Sequence, residues 1–355
     1  MSAKQRLKLA MLWTIRAAGG FAFARWLTRR KSVIIGWHGV SFLGEHEQQP
    51  EYCVSPETLR RRLVHLQKHF EIVPLEDLVE QHAAGAFRPR QVALTFDDAM
   101  YDFLAAADPV LREFRAPATV YVISSMLDVA SRANMLILQQ VLLTTPLRES
   151  PAGLAELEQR MPLTTHEERI ACLISLRRQR FKLDQTEAAC AEYVERLAVA
   201  FEVDISEIIE RRVWDYMTAD EVRQMSEAGY SMQVHSHNHH HTSDILDTLE
   251  EDTKICRERV ARLTGKPAID YCYPSGTWCQ RAGQILTEAG MRSAVSCTVG
   301  HNDPRTPIMA LRRYIDSELF TQLEFEFVVS GLKWLLDSMR RPGERYQTAE
   351  RASFE

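Results

Sequence analysis

The chain has 355 residues, 45% hydrophobic and 26% charged, with a net charge of −5, which suits a globular protein of one large domain with an insertion, or of two domains. No whole-chain basic excess is present for phosphate contacts, which argues against a nucleic-acid partner. Seven cysteines without a Cys-x-x-Cys pair describe no disulfide framework and point to a reducing, cytoplasmic compartment.

Residues 1–31 form a basic segment. Lys4, Arg6, Lys8, Arg16, Arg25, Arg29, Arg30 and Lys31 all precede the first acidic residue, Glu45, and Leu9, Met11, Leu12, Trp13, Ile15, Phe21, Phe23 and Trp26 lie between them. No apolar run approaches the roughly 20 residues that span a bilayer. Arg16 splits the one candidate secretory core, so a cleaved export signal is not expected. Two readings stand side by side: an amphipathic helix in peripheral contact with the inner face of an anionic membrane, or a helix packed on the domain with its charges in water.

From residue 32 the pattern alternates. Ser32–Trp37 is a β-branched run that reads as a buried strand with His38 at its C-terminal end. Ser55, Pro56 and Glu57 are a helix start, and Leu59, Leu63, Leu66 and Phe70 recur at helical spacing. Ile72–Leu75 reads as a strand, Leu75–His82 as a helix, Val92–Phe96 as a strand, Tyr101–Phe114 as a helix and Thr119–Ile123 as a strand. Strands alternating with helices imply a parallel sheet with crossover helices.

The pattern changes over 128–213, where Met135–Leu143, His166–Arg180 and Thr186–Phe201 are helical segments rich in Leu, Ala, Glu and Arg. This is a helical insertion, serving as a lid, as a partner surface, or simply as packing. Alternation resumes over 214–338: a helix from Thr218 to Gly229, a strand carrying the histidines, a helix over Leu246–Leu263, a strand over Ile269–Tyr273, a helix over Ala282–Ala289, a strand over Ser293–Cys297 and a last helix over Phe320–Leu336. Residues 339–355 are a polar tail.

Two stretches carry the chemistry. Five of the twelve histidines fall in His235–His241, and the Val92–Phe96 run ends in Asp97 and Asp98. Imidazole and carboxylate ligands suit a zinc-like ion, held by three side chains with a fourth position open. His235 and His239 share the i, i+4 spacing of ligands on one side of a helical turn. A His-rich loop that binds metal loosely, and an Asp pair that only caps a helix, are the plainer alternatives for each stretch alone.

Together, Thr95-Phe96-Asp97-Asp98 and His235-Ser236-His237-Asn238-His239 resemble the first two motifs of the polysaccharide deacetylase family, the carbohydrate esterases with a NodB homology domain. The resemblance extends to Ile34–Val40, Pro109–Thr119 and Tyr273-Pro274-Ser275-Gly276. It implies an α/β fold, a distorted (β/α)7 barrel made of 32–127 and 214–338 and interrupted by the helical insertion. It also implies that a divalent metal, zinc by the donor types, sits on Asp98, His235 and His239, with Asp97 as general base and the backbone amide at Tyr273 in the oxyanion site. The implied substrate is an N-acetylated saccharide, and the implied reaction removes an N-acetyl or related N-acyl group from an amino sugar of a glycan or lipid-linked saccharide.

Three departures bear on that reading. The family glycine after Asp-Asp is Ala99. The arginine before the Tyr-Pro stretch is replaced by Cys272, so Arg313 is a candidate to supply the missing charge from another strand end. The late Leu-x-His motif is absent, leaving His38 or His301 as candidate general acid. The alternative is a glycan-binding protein that kept the barrel and lost turnover. Oligomeric state is not legible in the sequence.

Overall fold

A computed structural model describes residues 3–127, 131–180 and 186–340. Its strands are β1 (Val33–Trp37), β2 (Gly39–Val40), β3 (Cys53–Val54), β4 (Glu71–Ile72), β5 (Gln91–Phe96), β6 (Thr119–Val122), β7 (Ser231–Val234), β8 (Asp270–Cys272), β9 (Ser293–Val295) and β10 (Tyr314–Ile315). Seven follow one another in the order β10-β1-β5-β6-β7-β8-β9, every pair parallel, and β4 adds to the start of β5. β2 and β3 pair separately. The sheet curls until its edges meet: Val295 of β9 bridges Leu311, and the Leu311 N–H donates to Ala294 O. The result is the distorted barrel that the sequence implies.

Both faces of this sheet are buried, so its strands are near-continuous apolar runs. Strand parity then decides what points where. Val33, Ile35, Val92, Leu94, Val120 and Val122 pack outward under the helices. Ile34, Ala93, Tyr121, Cys272, Val295 and Leu311 form a second cluster inside the barrel. On β5 the inward series runs Ala93, Thr95, Asp97. On β7 it runs Gln233, His235. Parity thus delivers an acid and an imidazole to the same interior, at the C-terminal end of the barrel.

The insertion is a helical layer with a core of its own. Helices Asn134–Thr144, His166–Arg180, Glu187–Ala200 and Ser206–Glu210 enclose Leu138, Val141, Leu173, Leu176, Leu197 and Phe201, and this cluster reaches the barrel through Cys53, Met100 and Trp214.

Several boundaries differ from the sequence reading. The strand expected over Ile72–Leu75 stops at Ile72, because Pro74 caps the helix Leu75–Ala83. The helix expected over Tyr101–Phe114 begins with a wide turn at Phe103–Ala107 before Asp108–Glu113. The helix expected over Leu246–Leu263 starts at Leu249. The last helix is two, Gln322–Val329 and Leu332–Arg340, broken at Gly331 with φ +82°. A Cβ there would come 2.7 Å from Thr28 and 3.1 Å from His301 Nε2, so glycine marks a close approach and not a weak helix. Met339 and Arg340 belong to that helix, and the rest of the expected tail, 341–355, lies outside the described residues.

The basic N-terminal segment forms α1 (Ala3–Ala17) and α2 (Gly20–Leu27), which meet at 70°. α1 packs against Gln322–Val329 and α2 against Leu332–Arg340. Among the described residues no single helix is long and apolar enough to cross a membrane.

Candidate metal and catalytic site

β5 ends in Asp97 and Asp98, and the chain turns sharply at once: Asp98 has φ +68° and Ala99 φ +54°. The family glycine position is therefore left-handed here in spite of its alanine. This turn swings the Asp98 carboxylate back over the barrel mouth toward β7. There the loop after Val234 carries Ser236 and His239, also at positive φ. The Ser236 hydroxyl accepts the His239 N–H at 2.8 Å, and Asp252, from helix Leu249–Thr264, accepts the His237 and Asn238 N–H groups at 2.8 and 3.2 Å. The loop is thus held from beneath.

Asp98, His235 and His239 converge. His235 Nε2 lies 3.2 Å and His239 Nε2 3.4 Å from Asp98 Oδ1. That oxygen is buried and has no hydrogen-bond partner. The other ring nitrogen of His235, Nδ1, sits 2.9 Å from Cys272 O. Donation there leaves an Nε2 lone pair facing a carboxylate, a meeting of two acceptors that calls for a cation between them. Without one, a proton has to serve. Against the effect of its burial, Cys272 and Asp98 raise the His235 pKa well above its ordinary value. Burial likewise works to raise Asp98, yet His235 and His239 hold it far below the carboxylate range. A donor set of one carboxylate and two imidazoles, buried, orphaned and convergent, fits a divalent ion of the zinc type.

A second cluster, Asp97, His235 and Cys272, is close enough to share an ion, but its chemistry is unsuitable. Arg313 already fills it. The guanidinium donates to both Asp97 oxygens at 2.7 Å, contacts Cys272 Sγ at 3.1 Å and donates to Ser296 O at 3.1 Å. Burial pushes the Cys272 thiol up to about 11, which keeps it neutral. Burial also acts to raise Asp97, but Arg313 outweighs it and keeps the carboxyl below its ordinary pKa. The arginine proposed to replace the one missing at Cys272 therefore stands against both that residue and Asp97. Gly36 makes room for it: a Cβ at Gly36 would lie 3.2 Å from Arg313 Nη1 and 2.7 Å from Ile315 Cδ1.

The remaining candidates part company. His38 stands on the same rim, with Nε2 4.0 Å from Asp97 Oδ2, its side chain 29% exposed and its ring against Tyr52. His301 does not reach the site. It is buried on the other side of β10, with Nδ1 2.8 Å from the Tyr314 hydroxyl and its ring beside Trp334. Burial, helped by Lys31, lowers its pKa to about 3. It is a neutral core histidine, which corrects its candidacy as general acid.

The Tyr273 expectation also needs correcting. Its N–H donates to Val295 O at 3.1 Å as part of the sheet, and its hydroxyl donates to Met309 O. That amide is not free to meet an oxyanion. His237 Nδ1 is engaged with the Ser124 hydroxyl, while His240 and His241 are exposed.

The site also holds residues that the sequence reading did not name. The Tyr52 hydroxyl donates to Asp98 Oδ2 at 3.1 Å, from the segment between β2 and β3. Tyr52, Asp98 and His239 line a cavity of about 450 Å³ whose opposite wall is the insertion, through Arg132, Asn134, Leu136, Arg177 and Glu187. An aromatic residue in an irregular stretch gives no signal of such a contact. Only tertiary pairing of β2 with β3 creates it.

The polysaccharide deacetylase family model matches residues 84–158 and 193–294, leaving 159–192 of the insertion unmatched. No curated protein matches the chain in sequence. Solved structures do resemble it. The Streptococcus pyogenes deacetylase PplD, solved in complex with acetate, is 16% identical with a TM-score of 0.56, over 85% of this chain and 99% of that one. A polysaccharide deacetylase from Bacillus cereus is 16% identical with a TM-score of 0.54, over 85% and 69%. IcaB from Ammonifex degensii is 13% identical with a TM-score of 0.54, over 85% and 97%. At such identities the likeness concerns the fold.

Proposed function

The chain belongs to the polysaccharide deacetylase family, hydrolases of amide bonds, and on that premise we propose that it is a metal-dependent enzyme removing an N-acetyl or related N-acyl group from an amino sugar. The substrate in this reading is a glycan or a lipid-linked saccharide. The observation that carries metal dependence is the orphaned Asp98 Oδ1, faced at 3.2 and 3.4 Å by two imidazole nitrogens.

A divalent ion held by Asp98, His235 and His239, zinc in our reading, would polarise the acyl carbonyl and make water a usable nucleophile near neutral pH. The rest falls to the chain. Asp97 stands beside the ligand set and takes the proton of the attacking water. Its carboxylate is kept ionised and aimed by the two-pronged grip of Arg313. His38 shares the rim with Asp97 and has an exposed edge, so it is the group we assign to protonating the departing amine. Arg132, Asn134 and Glu187 give the cavity polar walls of the kind that hydroxyl-rich ligands use. Cys53, Cys172, Cys256, Cys272, Cys279 and Cys297 stand as thiols, which supports a reducing, cytoplasmic setting.

Loss of the family arginine motivates the alternative of a binding protein without turnover, and Arg313 weakens that motive. The test is acetate release from N-acetylated oligosaccharides, with zinc and with chelator. Release that depends on metal supports the proposal. Saccharide binding without release at every metal loading overturns it in favour of the glycan-binding reading.

A further inference from the structure

We infer that the outer faces of α1, α2 and the helix Leu332–Arg340 form a docking surface for an anionic lipid bilayer. This goes beyond the hydrolytic reading and does not depend on it.

The inner face of α1 is fully used. Leu12 is buried, and Lys8 and Arg16 pair with Glu324 and Glu326 at 2.6 and 3.0 Å. In α2, Phe21 and Ala24 are buried in the same way. A surface helix packed like this ordinarily turns charge outward. Here the opposite side is apolar too. Leu7 is 73% exposed, Trp13 64% and Phe23 61%, and Met11, Trp26 and Leu27 are exposed beside them. At 100° per residue, Leu7, Ala10, Thr14 and Ala17 fall on the side of α1 away from Leu12, with Met11 and Lys4 on one flank and Trp13 and Arg6 on the other. The helix packed beside α2 adds Leu336 and Met339. So many large apolar side chains exposed on neighbouring helices mark an interaction surface.

Charge selects the partner. Residues 1–44 carry eight lysines and arginines and no acid. Lys8, Arg16 and Lys31 are matched by Glu324, Glu326 and Asp303. Lys4, Arg6, Arg29 and Arg30 have no carboxylate partner among the described residues. Arg29 lies over the Trp26 ring at 4.8 Å, and Trp26 stacks on Phe23. Tryptophan with an adjacent guanidinium is chemistry for the headgroup level, where an aromatic body enters the acyl boundary and a cation stays with phosphate. The 70° bend and the ion pairs along the inner face of α1 keep the segment lying on the domain rather than extending through a bilayer.

The experiment is co-sedimentation of the full chain with vesicles of phosphatidylcholine alone, and of phosphatidylcholine mixed with phosphatidylglycerol. Two variants accompany it: W13A/F23A/W26A and K4Q/R6Q/R29Q/R30Q. We expect binding to the mixed vesicles that weakens with salt. The aromatic variant should weaken partitioning by roughly tenfold or more. The charge variant should lose the preference for phosphatidylglycerol. Unchanged thermal melting shows that each variant is folded. If the aromatic variant melts early, a blue-shifted tryptophan emission of the unaltered chain on mixed vesicles decides the matter. Three results overturn the inference: no binding to either vesicle, self-association abolished by the same substitutions, which assigns the face to a second copy, or binding that resists alkaline carbonate, which would mean a spanning segment.

Discussion

Arg313 grips Asp97 with two parallel hydrogen bonds, Nη1 to Oδ1 and Nη2 to Oδ2, both 2.7 Å long, across 216 positions of sequence. Both side chains are almost wholly buried. The pair is therefore less a source of stability than a condition for having a charged base inside a barrel. Removing one member leaves the other as a buried, uncompensated charge, which typically costs about 3–5 kcal/mol.

Arg313→Gln should accordingly lower stability by that order and, in the fraction that folds, lower kcat. The pH dependence distinguishes a positioning role from a purely structural one. With Arg313 present the Asp97 pKa is lowered in the fold, so its stabilising contribution is in place above about pH 4 and lost as the pH falls through the folded value. Without Arg313, burial is opposed only by the weaker pull of His235 and His38, and the pKa rises. The acid limb of kcat/KM should then move to higher pH, whereas an unmoved limb would mean that Arg313 does not tune the base.

Metal removal gives the second prediction. A ligand that binds only the folded state stabilises it by RT ln(1 + [L]/Kd), about 4 kcal/mol at a thousandfold excess over Kd. Adding zinc to chelator-treated protein should therefore raise the melting temperature and displace the proton otherwise shared by His235 and Asp98. Asp98→Asn should abolish both the rise and the bound metal in elemental analysis. Equal metal content in the two proteins would remove Asp98 from the ligand set.

His38 and His301 should behave oppositely. His38→Gln removes the proton donor that we assign, and kcat should fall by about 10²–10⁴. His301→Gln should leave kcat near that of the parent and act on stability. His301 is neutral in the fold with a pKa of about 3, while in the unfolded chain it titrates near 6.5. Its contribution to stability is complete above about pH 6.5 and declines as the pH falls from there toward 3. The substitution should flatten that part of the curve of unfolding free energy against pH. A large kcat loss in the His301 variant would contradict the placement of that residue away from the mouth.

What the sequence discloses follows from how local each feature is. Asp97 and Asp98 end one apolar strand, and His235 and His239 share one loop, so motif and strand parity suffice to bring them together. The gap left by Cys272 is equally local, and it directs attention to Arg313 before any contact is visible. Tyr52 and Asp252 are different. Each acts on the ligand set through a contact that exists only after β3 or helix Leu249–Thr264 has docked, and neither lies in a recognisable pattern. Gly331 misleads for the same reason: the apolar periodicity runs straight through it, while the need for glycine comes from Thr28, 303 positions earlier. Tyr273 misleads in the other direction, since its motif is present but its amide is spent on β9.

Gly36→Ala is the most economical probe of the buried scaffold, because it adds one methyl group and touches no reacting atom. The added Cβ would lie 2.7 Å from Ile315 Cδ1 and 3.2 Å from both Arg313 Nη1 and Thr95 Oγ1. The Ile315 terminal methyl can rotate away. The guanidinium cannot do so freely, since Ser296 O, Thr95 and both Asp97 oxygens fix it. It has to shift by a few tenths of an ångström and carry Asp97 with it. A 1 Å misplacement costs on the order of 10²-fold in rate, so a loss of roughly tenfold in kcat is expected, with KM little changed. The strand gains about 0.5–1 kcal/mol from replacing glycine, which offsets part of the crowding, so the unfolding midpoint should move little. A variant with full kcat would show that the position of Arg313 does not govern Asp97, and would sink the account of β1 as the wall that aligns the base.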